Sequence, residues 1–242
     1  MRLNKFLASC GLGSRRSCET LIAEGIVEVN GAPATGPFQQ VDPDKDRVTV
    51  AGETVRQRRR AVYLMLHKPR GYLTTVSDSQ SRRTVMELLP RSAVRLFPVG
   101  RLDRDSEGLL LFTSNGDVAN RLAHPRYGIQ RFYRVEVNTP FPASRLKDLE
   151  RGVFVDRELL SVARARLASR GDSSRRLDLV LVTGKKREIR RLLHASGFDV
   201  VRILRYGFGP LRLDDLPEGK TRRLSADEVR GLQRAVGLKN LD

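Results

Sequence analysis

The chain has 242 residues, 45 of them Lys or Arg against 28 Asp or Glu, and a formal net charge of +17. Its 40% hydrophobic content suits a soluble globular protein with one large or two unequal cores, and the charge points to a polyanionic partner, nucleic acid first. The composition argues against a membrane span, a basic amphipathic anchor and a metal site, since His67, His124 and His194 are scattered with no Cys or carboxylate at ligand spacing.

In chain order, residues 1 to about 55 read as a compact unit. Leu3, Phe6 and Leu7 recur at helical spacing until Gly11 and Gly13. Ser14 is a natural N-cap for a second helix carrying Cys18, Leu21 and Ile22, with Gly25 just past its end. Val27 and Val29 alternate with polar residues before Asn30-Gly31, a hairpin signal, and Val48 to Val50 form another short strand. Cys10 and Cys18 fall on the apolar side of these helices and read as core thiols of a reducing compartment. No apolar signal core opens the chain, so the cytoplasm is the expected location. Arg15 and Arg16 start the second helix, where phosphate would meet both guanidinium groups and helix N–H donors. On charge alone, a merely solvated face accounts for them equally well.

Arg56-Gln57-Arg58-Arg59-Arg60 is a basic run that reads as a linker facing phosphate, so the boundaries are set at 1–60 and 61–242. The second unit opens with an apolar strand, Ala61 to Leu66, that stops at Lys68-Pro69-Arg70-Gly71. Its centre is Gly100-Arg101-Leu102-Asp103-Arg104-Asp105-Ser106-Glu107-Gly108, followed at once by the apolar run Leu109 to Phe112. This is a charged loop entering a buried strand, with Asp103 kept ionised by Arg101 and Arg104 and so available as a nucleophile or base. Taken alone it reads more readily as a solvated loop with surface ion pairs.

Further on, Asn115 to His124 reads as a helix, Arg131 to Val137 as a strand with Tyr133, Val135 and Val137 on one side, and Leu146 and Leu149 mark another helix. Leu177, Leu179 and Leu181 belong to a largely buried strand. Thr183-Gly184 turns it into a helix opening with Lys185, Lys186, Arg187, Arg190 and Arg191, a density of cations suited to an RNA backbone. Ser225 to Glu228 is a capping box for the last helix. Irregular alternation of strands and helices, without a phosphate-binding glycine fingerprint, predicts an α+β domain on a largely antiparallel mixed sheet.

Arg2 to Leu7, Gly13-Ser14-Arg15-Arg16, Leu21-Ile22, Gly25, Val27 and Val29-Asn30-Gly31 closely resemble the S4-like RNA-binding domain. Over nearly the whole chain, three stretches resemble the RsuA-type pseudouridine synthases of ribosomal RNA. Gly100 to Asp103, continuing through Gly108 to Thr113, looks like the family's signature loop, in which the aspartate is catalytic. Arg131-Phe132-Tyr133 is similar to the second motif. Gly184 to Leu192 is similar to the third, which supplies a basic partner to the aspartate. Ser106, Arg131 and Glu188 stand where threonine, lysine and glutamine are more usual.

The resemblance implies isomerisation of uridine to pseudouridine without cofactor or metal, with Asp103 attacking the uracil ring or the ribose of a flipped-out nucleotide. Tyr133 would stack on the base and Arg190 would hold Asp103 ionised. Arg15, Arg16, Arg101, Arg131, Lys185, Lys186 and Arg187 would contact RNA. A monomer acting on ribosomal RNA or a ribosomal assembly intermediate is expected, with a lean to the large subunit and the small subunit as alternative. The rivals are a non-catalytic RNA-binding or assembly protein, which has no need of an acid within a basic surface, and a methyltransferase, whose glycine-rich cofactor loop is missing.

Overall fold

A computed structural model describes residues 1–57, 61–91 and 94–238. Residues 58–60 of the expected basic linker lie outside them; Gln57, just before, is anchored by donating to the Ser9 hydroxyl.

The N-terminal unit contains α1 (Leu3–Ser9), α2 (Arg15–Ala23), β1 (Val27–Val29), β2 (Ala32–Pro33), β3 (Val48–Val50) and β4 (Glu53–Thr54). Ser14 caps α2 by accepting from the Ser17 N–H, and Gly25 follows the helix with a φ of +74°. Asn30 and Gly31 both take positive φ, 53° and 83°, as a tight two-residue hairpin between right-twisted strands requires. Ala51-Gly52 repeats the device before β4. The four strands run in the order β2-β1-β3-β4. With α1 and α2 they enclose a core of their own around Leu3, Phe6, Leu7, Cys18 and Val27.

The second unit is built on one large sheet. Its elements are β5 (Tyr63–Lys68), β6 (Phe97–Pro98), β7 (Glu107–Thr113), α3 (Gly116–Ala123), β8 (Arg131–Pro142), α4 (Leu146–Arg151), β9 (Val153–Val155), β10 (Glu158–Leu160), β11 (Arg164–Leu167), β12 (Ser173–Leu181), α5 (Glu188–Ala195), β13 (Val200–Phe208), β14 (Leu211–Arg212), β15 (Thr221–Arg223) and α6 (Ala226–Ala235). The strand order is β11-β12-β8-β13-β7-β5-β15, with β6 on β7 and β14 on β13. Every pairing is antiparallel except β13 with β7. All seven residues of β7 are buried, as expected for a continuous apolar run in the middle of a sheet covered on both faces.

One face packs Leu64, Leu110, Phe112, Val135, Leu179 and Leu192 into the larger core. The other packs Met65, Leu109, Leu111 and Phe208 against residues of α3 and α6. Asn115 and Ser225 cap these two helices.

One boundary differs from the sequence reading. Lys185, Lys186 and Arg187 precede α5 rather than opening it. The buried Glu188 carboxylate accepts from the Thr183 hydroxyl at 2.6 Å and the Lys185 N–H at 3.1 Å, which keeps these residues in a loop. Arg187 adopts a left-handed backbone (φ 50°) where the helix begins.

Candidate active site

The loop between β6 and β7 is fastened main chain by main chain. Thr74 grips Leu102, its hydroxyl donating to the Leu102 carbonyl at 2.7 Å and accepting from the N–H at 3.3 Å. Lys68, 0% exposed at the end of β5, donates to the carbonyls of Pro69 (3.0 Å), Arg104 (3.3 Å) and Ser106 (2.7 Å). Burial pushes its ammonium down to about pKa 8, against the opposing pull of Asp105, Asp103 and Glu107. The Asp105 carbonyl accepts from both Arg70 (3.3 Å) and Arg190 (3.2 Å). Beneath the loop, Glu107 is gripped by Arg202 through two bonds of 2.8 Å, which holds its carboxyl below the usual range.

Asp103 sits in the middle of this fastened loop, half-buried, facing a cleft of about 290 Å³. The cleft is also lined by Tyr133 of β8, Ile203 and Arg205 of β13, and Arg190 of α5. Among the described residues no ion pair closes on the Asp103 carboxylate within 4.0 Å. The other carboxylate lining the cleft, Glu188, is committed to Thr183 and Lys185. Tyr133 is 9% exposed and stands in register beside Arg205.

Arg190 reaches the loop rather than the carboxylate. Its guanidinium donates to the carbonyls of Val200 (3.0 Å) and Asp105, so it positions the backbone two residues from Asp103 while contributing charge to the cleft. Burial, with Arg187 acting the same way, lowers its pKa, and Asp103 and Asp105 oppose that shift.

Arg131 is placed differently from its expected RNA-facing role. It is 7% exposed and its guanidinium donates to the carbonyls of Ile129, Val182, Thr183 and Ala123 at 2.9–3.3 Å. Those bonds tie both terminal nitrogens to main-chain carbonyls, making it a strut of the cleft wall. Lys185 is half-buried and already engaged, with its Nζ on the Leu159 carbonyl (2.7 Å) and 3.3 Å from Glu158. Arg101, Lys186 and Arg187 are exposed at the cleft rim. Arg15 and Arg16, exposed at the start of α2, lie outside this cleft. Arg15 lines a larger groove of about 1690 Å³ with Arg47, Arg56, Arg95 and the Lys5–Asp117 ion pair (2.7 Å) that joins the N-terminal unit to α3.

Sequence reasoning missed Arg205. It is 2% exposed, its Nε donates to the Leu109 carbonyl at 2.8 Å, and one terminal nitrogen is buried without a partner among the described residues. The Arg190 Nε is likewise unpartnered. A cation in the middle of the otherwise apolar Ile203 to Phe208 segment was the signal.

Known proteins resemble this arrangement. The RNA pseudouridylate synthase family matches residues 62–195, and the S4 domain matches residues 1–48. The chain is 38% identical over 240 residues to an uncharacterized RNA pseudouridine synthase of Aquifex aeolicus, covering 99% of this chain and 96% of the relative. It is 36% identical over 235 residues to the ribosomal large subunit pseudouridine synthase B of Bacillus subtilis, covering 96% and 95%. A crystal structure of a pseudouridylate synthase superposes with a TM-score of 0.67 at 25% identity, covering 96% of this chain and 99% of the other.

Proposed function

Because the chain belongs to the RNA pseudouridylate synthase family and is therefore an isomerase, we propose that it converts one uridine of large-subunit ribosomal RNA to pseudouridine with Asp103 as nucleophile. The observation that carries this reading is the uncommitted Asp103 carboxylate on a loop held at Leu102, Arg104, Asp105 and Ser106. Fixing the backbone on both sides of a nucleophile while leaving its carboxylate open is the arrangement that lowers the entropic part of a barrier.

A base within a helix cannot reach such a cleft, so the target nucleotide flips in at a cost of a few kcal/mol of unstacking. Tyr133 then offers a flat face to the uracil, and Arg205 and Arg190 place positive charge in the wall of the cleft. Asp103 attacks the uracil ring or the ribose, the N1–C1′ bond breaks, the base turns and C5 bonds to C1′, and the bond between the Asp103 oxygen and the substrate is broken again so that the carboxylate is regenerated. The proton leaving C5 is balanced by the one gained at N1, so the reaction needs no oxidant. Tyr133 is the group placed to assist that last proton transfer.

Asp103→Asn keeps the outline of the side chain and removes its charge. We expect loss of pseudouridine formation on ribosomal RNA with RNA affinity retained. Asp105→Asn is the control two residues away, with a modest loss expected, and Arg190→Ala should fall between them. Full turnover by Asp103→Asn would refute the mechanism. Mapping pseudouridines in the ribosomal RNA of a deletion strain tests the subunit: a missing site in small-subunit RNA would move the substrate there.

A further inference from the structure

The cleft occupies one face of the sheet. On the opposite face the second core covers β5, β7 and the end of β13, whereas β11, β12 and β8 turn alternate residues outward. Pairing register puts Arg164 and Arg166 of β11, Arg176 and Asp178 of β12, and Phe132, Arg134 and Glu136 of β8 together on that outer face, Glu136 opposite Arg176. Tyr206, at a register shift in β13, brings its ring to 6.1 Å from Phe132, tilted by 45°.

These groups form a ladder of planar cations and rings. The Arg212 guanidinium lies 4.2 Å from the Phe132 centroid, and that of Arg134 lies 5.6 Å from Tyr206. Gly207 allows the close packing, since a Cβ there would approach Phe132 to 3.0 Å. Asp178 is 4% exposed and pairs at 2.9 Å with both Arg134 and Arg166, whose side chains remain 50% and 67% exposed. One buried carboxylate thus fixes two guanidinium planes with donors still facing solvent. Preordered arginines lose less side-chain entropy on binding an anion. A solvated basic face does not require such ordering.

We propose that this outer face is a second RNA-binding surface, on the side of the sheet away from the cleft. An unpaired base stacks on the Arg212, Phe132 and Tyr206 ladder, while Arg134, Arg164, Arg166 and Arg176 take flanking phosphates. The occupant is RNA rather than an acidic polypeptide because the stacked planes suit a base and the adjacent forks suit phosphate. The proposal needs only that the protein binds RNA and is independent of which residue is the nucleophile.

The test uses the full-length protein, a 4-thiouridine-substituted large-subunit RNA transcript, and the exposed pair Arg164→Gln/Arg176→Gln. Photocrosslinks should map to the Phe132 and Tyr206 side chains themselves, resolved from the neighbouring cleft residues Tyr133 and Arg205 by fragmentation, and Phe132→Leu should abolish those at Phe132. The double variant should bind about 10-fold more weakly near 0.1 M salt, and its log–log salt slope should drop by about 0.7 for each single-strand phosphate that is no longer neutralised. Unchanged affinity and slope, or crosslinks confined to the cleft and the N-terminal unit, would overturn the proposal. So would a double variant that keeps its RNA affinity but no longer retains poly-glutamate, which would make the face a protein-docking surface. Every readout is binding, so failure of the Asp103 mechanism would leave these results standing on their own.

Discussion

At the scale of the residue, Lys68 links the loop to pH. Burial holds its folded pKa near 8, against 10.5 for the ordinary side chain. Between those values the unfolded chain binds a proton that the folded chain does not, so stability should rise with pH across this window. Activity should move the other way. The neutral amine has two donors for three carbonyls, and a positive charge disappears from beside Asp103 and Asp105. We expect kcat to decline above pH 8 while the chemical denaturation midpoint increases, and Lys68→Met to abolish both trends. Such a variant leaves three carbonyls without their donor, and a stability loss of about 1–3 kcal/mol is expected. Gly108 is a second sensitive point. Its φ is +110°, and an added Cβ would overlap the Arg205 carbonyl oxygen and come within 2.7 Å of its nitrogen. Both neighbours are backbone in the parallel β13–β7 pair, so neither can swing aside. Gly108→Ala should cost about 3 kcal/mol or more in denaturant titration; a variant of native stability would show that the two strands separate more easily than their pairing implies.

At the scale of the element, the segment before α5 divides its cations by their neighbours. Lys185 is held by Glu158 and the Leu159 carbonyl, and Arg191 by Glu158 and Asp156. Together they lash the β9–β10 hairpin to the cleft wall, while Lys186 and Arg187 remain exposed. Charge reversal at Lys186 and Arg187 should therefore flatten the salt dependence of RNA binding more than reversal at Lys185, which should mainly loosen the hairpin. Equal slopes for the two variants would mean that Lys185 leaves its carboxylate to meet RNA. This hairpin also marks where sequence reading stopped. Ser14, Asn30-Gly31 and the Ser225–Glu228 box announce themselves because one side chain or one glycine meets a local backbone need. Asp156 and Arg157 turn β9 into β10 with φ of 50° and 66°, and with an arginine where glycine would mark such a turn the local signal is weak. It is sustained by ion pairs to a helix more than thirty residues away. The same holds in the cleft: the loop around Asp103 taken alone reads as a solvated one and only the family resemblance singles the aspartate out, while burial of Arg131 and Arg205 follows from strand pairing across the sheet, which a linear pattern does not encode.

For the whole molecule, the charge of +17 is spread over several surfaces: the start of α2, the cleft rim and the outer face of β11, β12 and β8. Binding through many such points makes affinity steeply salt-dependent. A loss of about 10³-fold between 50 and 200 mM salt is expected for a ribosomal RNA transcript, measured by filter binding. Indifference to salt would mean that the charge serves something other than phosphate recognition. The Lys5–Asp117 pair ties the two units together, and both side chains are partly exposed, so Asp117→Asn should change stability by less than about 1 kcal/mol.

The single parallel pairing in the sheet also bears on how the protein is made. β7 lies between β5, which precedes it by some forty residues, and β13, which follows nearly a hundred residues later. Tyr133, Arg190 and Arg205 come to line one cleft with Asp103 only after β13 has inserted between β8 and β7. Loop closure over such separations is slow, and the last strand to insert completes the cleft. Recovery of activity during refolding should therefore track the slowest phase rather than the early appearance of secondary structure. A chain still emerging from the ribosome would carry its N-terminal unit, already able to hold RNA, well before it could act on any of the RNA surrounding it.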